Sequence, residues 1–135
     1  MLRLNKKNIL ILKNDRGGDL FTSLKLISSL CKYNKIKIYL SELNYGFSFF
    51  FKYQVVKKIN LHPSFLDKIN IFFDILKNKY DEVYILTPKS FYFILPFFFR
   101  KIKFYAIVYN NCQKMRPNKF LRKYLFKFNI IYRDK

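Results

Sequence analysis

The chain has 135 residues, a length typical of one domain with its own core, and its 51% hydrophobic content argues against a disordered polypeptide. Its formal net charge of +19 indicates an anionic partner, such as nucleic acid, a phosphorylated sugar or a membrane surface. Lys, Asn, Ile, Phe and Tyr are all abundant, as A/T-rich codons would supply, so the charge alone does not select among these partners.

Neither a leader peptide nor a membrane span is evident. Lys6 and Lys7 are followed by only a short apolar run before Lys13, unlike the layout of a secretory signal. The longest apolar run, Phe91 to Phe99, is shorter than the roughly 18 residues of a membrane span, and Pro96 interrupts it. We therefore expect a cytoplasmic protein, located either in the cytoplasm itself or at the inner face of the membrane.

Cysteine and histidine are scarce. The two cysteines, Cys31 and Cys112, are far apart, and His62 is the sole histidine. No zinc ligand set and no Cys/His nucleophile pair is clustered, so we expect no metal. Cys31 is expected to be a small apolar core residue, and His62, which precedes Pro63, to lie at the entry to a helix.

The stretch from residue 8 to residue 30 carries the clearest structural pattern. The aliphatic run from Ile9 to Leu12 stops at a polar turn, Asn14 to Asp19, and apolar residues then recur at helical spacing from Leu20 to Leu30. This pattern predicts a buried strand, a tight loop and a helix. Since parallel α/β sheets bind ligands at such crossings, Arg16 to Thr22 is the first candidate site.

The rest of the chain continues the alternation of strands and helices. Strands are predicted at Lys35–Leu40, Val55–Leu61, Asp81–Thr87 and Lys103–Tyr109. Helices are predicted from Pro63 or Ser64 to Lys79, at Ser90–Arg100 and at Lys119–Phe128. A loop is predicted at Asn110–Asn118. One apolar face of the helix that starts near Pro63 is predicted to hold Phe65, Ile69, Phe72, Phe73 and Leu76. The alternation predicts an α/β fold, a single Rossmann-like domain with a doubly wound parallel sheet flanked by helices.

The loop after the first strand lacks the standard phosphate-binding motifs. Gly17-Gly18-Asp19 matches neither G-x-G-x-x-G nor G-x-x-x-x-G-K-[ST], which disfavours a dinucleotide-binding protein and a nucleotide triphosphatase. Asp19 has two compatible interpretations. One is the N-cap of the helix, whose carboxylate accepts from first-turn N–H groups; the other is a general base at the rim of a cleft.

The segment ILILKNDRGGDLFTSLKLISSL resembles the amino-terminal signature of the ADP-heptose:lipopolysaccharide heptosyltransferases and their relatives in glycosyltransferase family nine. In that signature an aliphatic strand leads through a short polar loop into Gly-Asp and a helix with hydroxyl residues. Later segments follow in a similar order: Tyr80 to Leu86, Lys89-Ser90, the basic turn from Arg100 to Lys103, and Arg116-Pro117 with the basic helix that contains Tyr124. Only Gly18-Asp19 with its flanking strand and helix is specific.

The resemblance implies the acceptor-side half of a GT-B enzyme, which transfers a heptose-like sugar from a nucleotide-sugar to lipopolysaccharide or another glycolipid or oligosaccharide. It implies Asp19 as the catalytic base and no obligatory metal. The acceptor-binding candidates are Arg16, Gly17, Gly18, Thr22, Lys89, Ser90, Arg116 and Lys119. The donor, similar to ADP-heptose, is expected to bind mainly to a carboxy-terminal domain that these 135 residues do not include, so a partner chain is one expected source of the second domain.

Two departures from the family pattern leave the acceptor open. Gly17 stands where relatives carry a larger residue, and Thr22-Ser23-Leu24 lacks the proline that often follows the paired hydroxyls. Two non-catalytic alternatives remain. The chain is then either a basic domain that binds nucleic acid through stacked aromatic rings, or a peripheral membrane-binding domain.

Overall fold

The computed structural model describes residues 6–14, 17–51, 54–87, 89–109 and 129–133, and for residues 17–22, 50, 90, 107–109 and 129–133 it describes the backbone only. The strands in these ranges are β1 (Asn8–Lys13), β2 (Lys35–Ser41), β3 (Val55–Ile59), β4 (Glu82–Ile85), β5 (Lys103–Tyr109) and β6 (Asn129–Arg133). The helices are α1 (Gly17–Tyr33), α2 (Phe65–Lys77) and α3 (Ser90–Phe98), with a 3₁₀ helix at Tyr45–Phe51 between β2 and β3.

The strands form one parallel sheet in the order β3-β2-β1-β4-β5-β6. The chain builds outwards from β1 to β3, crosses back, and builds outwards again from β4 to β6. The direction therefore reverses between β1 and β4, which makes this pair of strands the topological switch point of the sheet. The predicted doubly wound, Rossmann-like α/β fold is confirmed.

The central strand is buried on both faces, as a parallel sheet covered by helices requires. The four residues from Ile9 to Leu12 are all 0% exposed. Ile9 and Ile11 pack on the side of α1, whereas Leu10 and Leu12 pack on the side of α2 and α3. Because successive side chains of a strand point to opposite faces, one aliphatic run supplies both cores.

The helices lie on the two faces according to the direction of their crossovers. On one face Ile27 of α1 and Phe51 of the 3₁₀ helix pack against the sheet. On the other face Ile71 and Ile75 of α2 and Phe93 of α3 do so. This division follows from right-handed crossovers, since the connections before β3 and after β3 run in opposite directions along the sheet.

Most predicted elements are found, with changes at their ends. β1, β2 and β5 have almost the predicted bounds, whereas β3 ends at Ile59 and β4 covers only Glu82–Ile85. The short strand β6 was not predicted. The predicted loop at 110–118 and helix at 119–128 lie outside the described residues.

The apolar face predicted for α2 is not the face that packs on the sheet. The residues of α2 that are buried are Ile71, Asp74 and Ile75. Three residues of the predicted apolar face are largely exposed: Phe65 (76%), Phe73 (59%) and Leu76 (59%). Apolar residues occupy two sides of this helix, so hydrophobic spacing alone does not determine which side faces the sheet.

A network of hydrogen bonds around Asp74 fixes the orientation of α2. Its carboxylate accepts from the hydroxyls of Tyr39 at 2.5 Å and Tyr80 at 2.9 Å and from the Asn78 amide, and it pairs with Lys37 at 2.8 Å. Burial alone would raise the pKa of Asp74, but these four partners outweigh it and hold the pKa below its ordinary value. A fully partnered carboxylate thus occupies the side of α2 that faces β2.

Within the described ranges, the structure contains no helix with the length and apolar character needed to cross a bilayer.

Candidate functional site at the carboxyl edge of the sheet

The carboxyl ends of β1 and β4 meet at the switch point. The backbone N–H groups of Leu86 and Thr87 both donate to the Leu12 carbonyl, at 3.0 Å and 3.2 Å. The Thr87 side chain is 4% exposed, and its hydroxyl has no hydrogen-bond partner within the described part of the chain. The strands therefore stay paired up to this point, and the crevice in which doubly wound folds bind ligands begins directly beyond it.

Lys13, the last residue of β1, is 0% exposed. Its ammonium nitrogen donates to the Leu86 carbonyl at 3.3 Å. A buried amine is uncommon because removing it from water costs free energy. Here it lies directly at the switch point.

Asn14 joins three elements at this edge and is 0% exposed. Its amide nitrogen donates to the Asn60 carbonyl at 3.2 Å, just after β3. Its amide oxygen accepts from the Tyr92 hydroxyl of α3 at 2.8 Å. These two bonds fix the loop after β3 and the first turn of α3 to the end of β1.

A pocket of about 240 Å³ lies beside this junction, between the amino-terminal ends of α2 and α3. We call it the basic pocket, and it is lined by His62, Pro63, Lys68, Lys89, Phe91 and Tyr92. The Lys89 ammonium donates to the Leu61 carbonyl at 2.9 Å, and the Lys68 ammonium lies 5.9 Å from the centre of the Phe91 ring. Among the described lining residues there are two lysines and no carboxylate.

The two helices begin differently at the basic pocket. Ser64 caps α2: its hydroxyl accepts from the Asp67 N–H at 3.2 Å, and the Asp67 carboxylate accepts from the Ser64 N–H at 2.9 Å. Lys89 occupies the N-cap position of α3, and its side chain makes no capping hydrogen bond. The positive end of the α3 dipole thus adds to the charge of the lysines.

Most of the site residues predicted from sequence map to this edge of the sheet. Gly17, Gly18, Asp19 and Thr22 belong to the first two turns of α1, directly after the end of β1, and Lys89 and Ser90 lie at the start of α3. Arg16, Arg116 and Lys119 lie outside the described residues. The predicted N-cap position of Asp19 is wrong, because α1 begins at Gly17 and Asp19 falls in its first turn.

Five residues of this edge were not predicted as site residues: Lys13, Asn14, His62, Lys68 and Tyr92. Lys13 and Asn14 had a signal in the sequence, since they are the first polar residues after the aliphatic run of β1. The other three come together only through the packing of α3 against α2. No local pattern marks them.

The chemistry of the basic pocket suits an anion attached to a ring. Ammonium groups and an uncapped helix N-terminus favour a phosphate or carboxylate, and the Phe91 and Tyr92 rings supply an apolar wall. In the described ranges no group of three or more His, Cys, Asp or Glu side chains could hold a metal ion. The described lining of the basic pocket thus suits an anionic ligand that also has an apolar side.

Comparison of the chain with protein-family models, with curated proteins and with solved structures found no match.

Proposed function

We propose that this chain is the acceptor-side domain of a glycosyltransferase similar to family nine, which transfers a heptose-like sugar from a nucleotide-sugar to a phosphorylated glycolipid or oligosaccharide. The observation that carries the proposal is the position of the Gly18-Asp19 motif. The motif opens α1 directly after β1, at the switch point of a doubly wound sheet. Ligands of such sheets bind there.

In this reaction Asp19 is the general base. It takes the proton of an acceptor hydroxyl while that oxygen attacks the anomeric carbon of the donor, and the nucleoside diphosphate leaves with the electrons of the broken C–O bond. The donor nucleotide binds mainly to a second GT-B domain, on the same chain or on a partner. No step of this proposal needs a metal ion.

The basic pocket supports an anionic acceptor. Lys68 and Lys89 line it beside the start of α3, and ammonium groups bind phosphate oxygens by charge-assisted hydrogen bonds. Arg16, Arg116 and Lys119 remain candidates for the same role. The membrane-borne character of such an acceptor is consistent with a protein that works at the inner face of a membrane.

The replacement Asp19→Asn tests the catalytic step. Transfer is assayed together with a donor-binding domain. That domain is first sought in the DNA beyond the codon for Lys135 and in adjacent genes. We expect turnover to fall by roughly 10²–10⁴-fold, because an amide cannot accept the proton, while acceptor affinity measured by calorimetry stays unchanged. Asp81→Asn is the matched control, because Asp81 is exposed and precedes β4, at the opposite edge of the sheet. Equal turnover of the Asp19→Asn variant and the wild type would refute the assignment.

The replacement Lys89→Ala tests acceptor binding separately. We expect about tenfold weaker binding of a phosphorylated glycan and little change for its dephosphorylated form. Lys32→Ala is the matched control, because Lys32 is exposed in the last turn of α1, on the other face of the sheet. If single-stranded RNA binds and the phosphorylated glycan does not, the nucleic-acid alternative is correct instead.

A further inference from the structure

The helices α2 and α3 carry large apolar side chains on their outward sides. These residues define the α2–α3 face: Phe65 (76% exposed), Leu66 (70%), Phe73 (59%), Leu76 (59%), Ile94 (42%) and Phe98 (64%). The Phe72 ring connects the two helices, since it lies 6.1 Å from Phe73 and 5.6 Å from Phe98, each in an edge-to-face arrangement. The exposed apolar surface is therefore shared by both helices.

The spacing of these residues makes a stripe along α2. Phe65, Phe73 and Leu76 recur at intervals that place them on one side of a helix, opposite Ile71 and Ile75 in the core. Single exposed apolar residues are ordinary on protein surfaces, but a contiguous group marks a surface for interaction. The exposed stripe of α2 is therefore a candidate interaction surface, on the side of the helix opposite the core.

The charges around this face are strongly biased. The two acidic residues of α2 are both engaged away from the stripe, Asp67 in the helix cap and Asp74 in its buried network. The sequence of α3 contains no charged residue. Basic side chains lie on α2 and just beyond the ends of both helices: Lys68, Lys77, Lys79, Arg100 and Lys101.

We propose that the α2–α3 face binds an anionic lipid bilayer. Its apolar side chains enter the boundary of the acyl chains, and the basic residues around it contact the anionic headgroups. A second copy of the chain fits less well, because a two-fold symmetric contact would bring the two basic rims together. An anionic bilayer complements both the apolar stripe and its rim.

This inference extends the proposed function, because a lipid-linked acceptor lies in such a surface. Phe65 and Leu66 lie at the amino-terminal end of α2, one turn from Lys68 of the basic pocket. Docking through the α2–α3 face would hold the pocket at the level of the lipid headgroups. The acceptor phosphate would then reach Lys68 and Lys89 without leaving the membrane.

The chain has no tryptophan, so a single introduced indole reports its own surroundings. Phe73→Trp places it on the α2–α3 face, and Phe49→Trp places it at a site 56% exposed on the 3₁₀ helix, which packs on the opposite face of the sheet. Each variant is mixed with vesicles of phosphatidylcholine, alone or with phosphatidylglycerol. We expect a blue shift and quenching by brominated lipid for Phe73→Trp with anionic vesicles, and neither for Phe49→Trp. Equal responses of the two variants would overturn the proposal.

A double variant and its control test the affinity of the chain for anionic vesicles. We expect Leu66→Ser with Leu76→Ser to reduce partitioning onto anionic vesicles by at least about tenfold. Leu43→Ser, a replacement of a residue 56% exposed after β2, should leave partitioning unchanged. Circular dichroism confirms that each variant is folded. Unchanged partitioning of the double variant, or a wild-type dimer that the double variant abolishes, would refute the bilayer as the occupant.

The Asp19→Asn variant separates this inference from the proposed function, because it should bind vesicles as the wild type does. If the wild type binds vesicles but shows no transfer when the donor-binding domain is supplied, the proposed function is refuted and the docking surface stands. Transfer to acceptor by a chain that does not bind vesicles would refute the docking surface alone.

Discussion

Single buried polar residues determine how the helices sit on this sheet. Asp74 orients α2 through its hydrogen bonds to Tyr39 and Tyr80. Burial, and then the Asp74 carboxylate, raise the pKa values of both tyrosines, so their hydroxyls stay protonated and donate. Asn14 has the corresponding role for α3, through the Tyr92 hydroxyl.

The replacement Asp74→Asn should lower the free energy of unfolding by about 3 kcal/mol at neutral pH, because it leaves Lys37 without its ion pair and the tyrosines without a charged acceptor. The folded-state pKa of Asp74 lies below its ordinary value. The carboxylate therefore stabilises the fold fully above its unfolded pKa, and this contribution is lost as pH falls through the folded value. The difference in the free energy of unfolding between the wild type and the Asp74→Asn variant should therefore decrease below about pH 4.

Urea denaturation at neutral and acidic pH measures this gap. Asp81→Asn is the matched control, since Asp81 is exposed and its carboxylate accepts from the Asn8 N–H at 2.8 Å. Asp81→Asn should lower the free energy of unfolding by about 1 kcal/mol or less. A cost for Asp74→Asn that is the same at both pH values would contradict the role given to its charge.

At the scale of secondary structure, the start of α2 couples stability to the basic pocket. Ser64 caps the helix one turn before Lys68, a pocket residue. Fraying of this first turn would therefore move a residue of the candidate site. The helix cap and the candidate anion site are parts of one local structure.

The replacement Ser64→Ala should lower the free energy of unfolding by about 1 kcal/mol, because it removes the acceptor of the Asp67 N–H. Thermal unfolding measures the change. Ser28→Ala, at an exposed interior position of α1, should be neutral or slightly stabilising, since alanine is the better helix former. A Ser64→Ala variant as stable as Ser28→Ala would show that the cap contributes little.

The secondary-structure elements were predictable to different degrees. The strand–loop–helix unit from β1 to α1 was predictable because four consecutive aliphatic residues are followed by polar residues and then by helical spacing. The inward side of α2 was not, because its orientation is determined by Asp74, whose partners Tyr39 and Tyr80 come from other segments. The strand β6 was not predicted, because no glycine or proline separates it from the preceding residues 119–128, which were predicted as a helix.

At the scale of the whole molecule, alternating strands and helices sufficed to predict a doubly wound sheet, since long parallel connections allow few other arrangements. The same rule predicted the region of the candidate site. The basic pocket did not, because it brings residues around His62 and Lys68 together with residues around Lys89. Contacts between separate crossovers depend on helix packing, which a single sequence does not specify.

The position of β1 in the centre of the sheet also constrains how the protein is made. One neighbour, β2, follows β1 after a single helix, whereas the other, β4, follows only after β2, β3 and α2. During synthesis one edge of Ile9–Leu12 therefore stays open until residues 82–85 have left the ribosome. An open apolar strand edge pairs readily with other chains. A nascent chain that pauses before β4 is thus at its most vulnerable to aggregation.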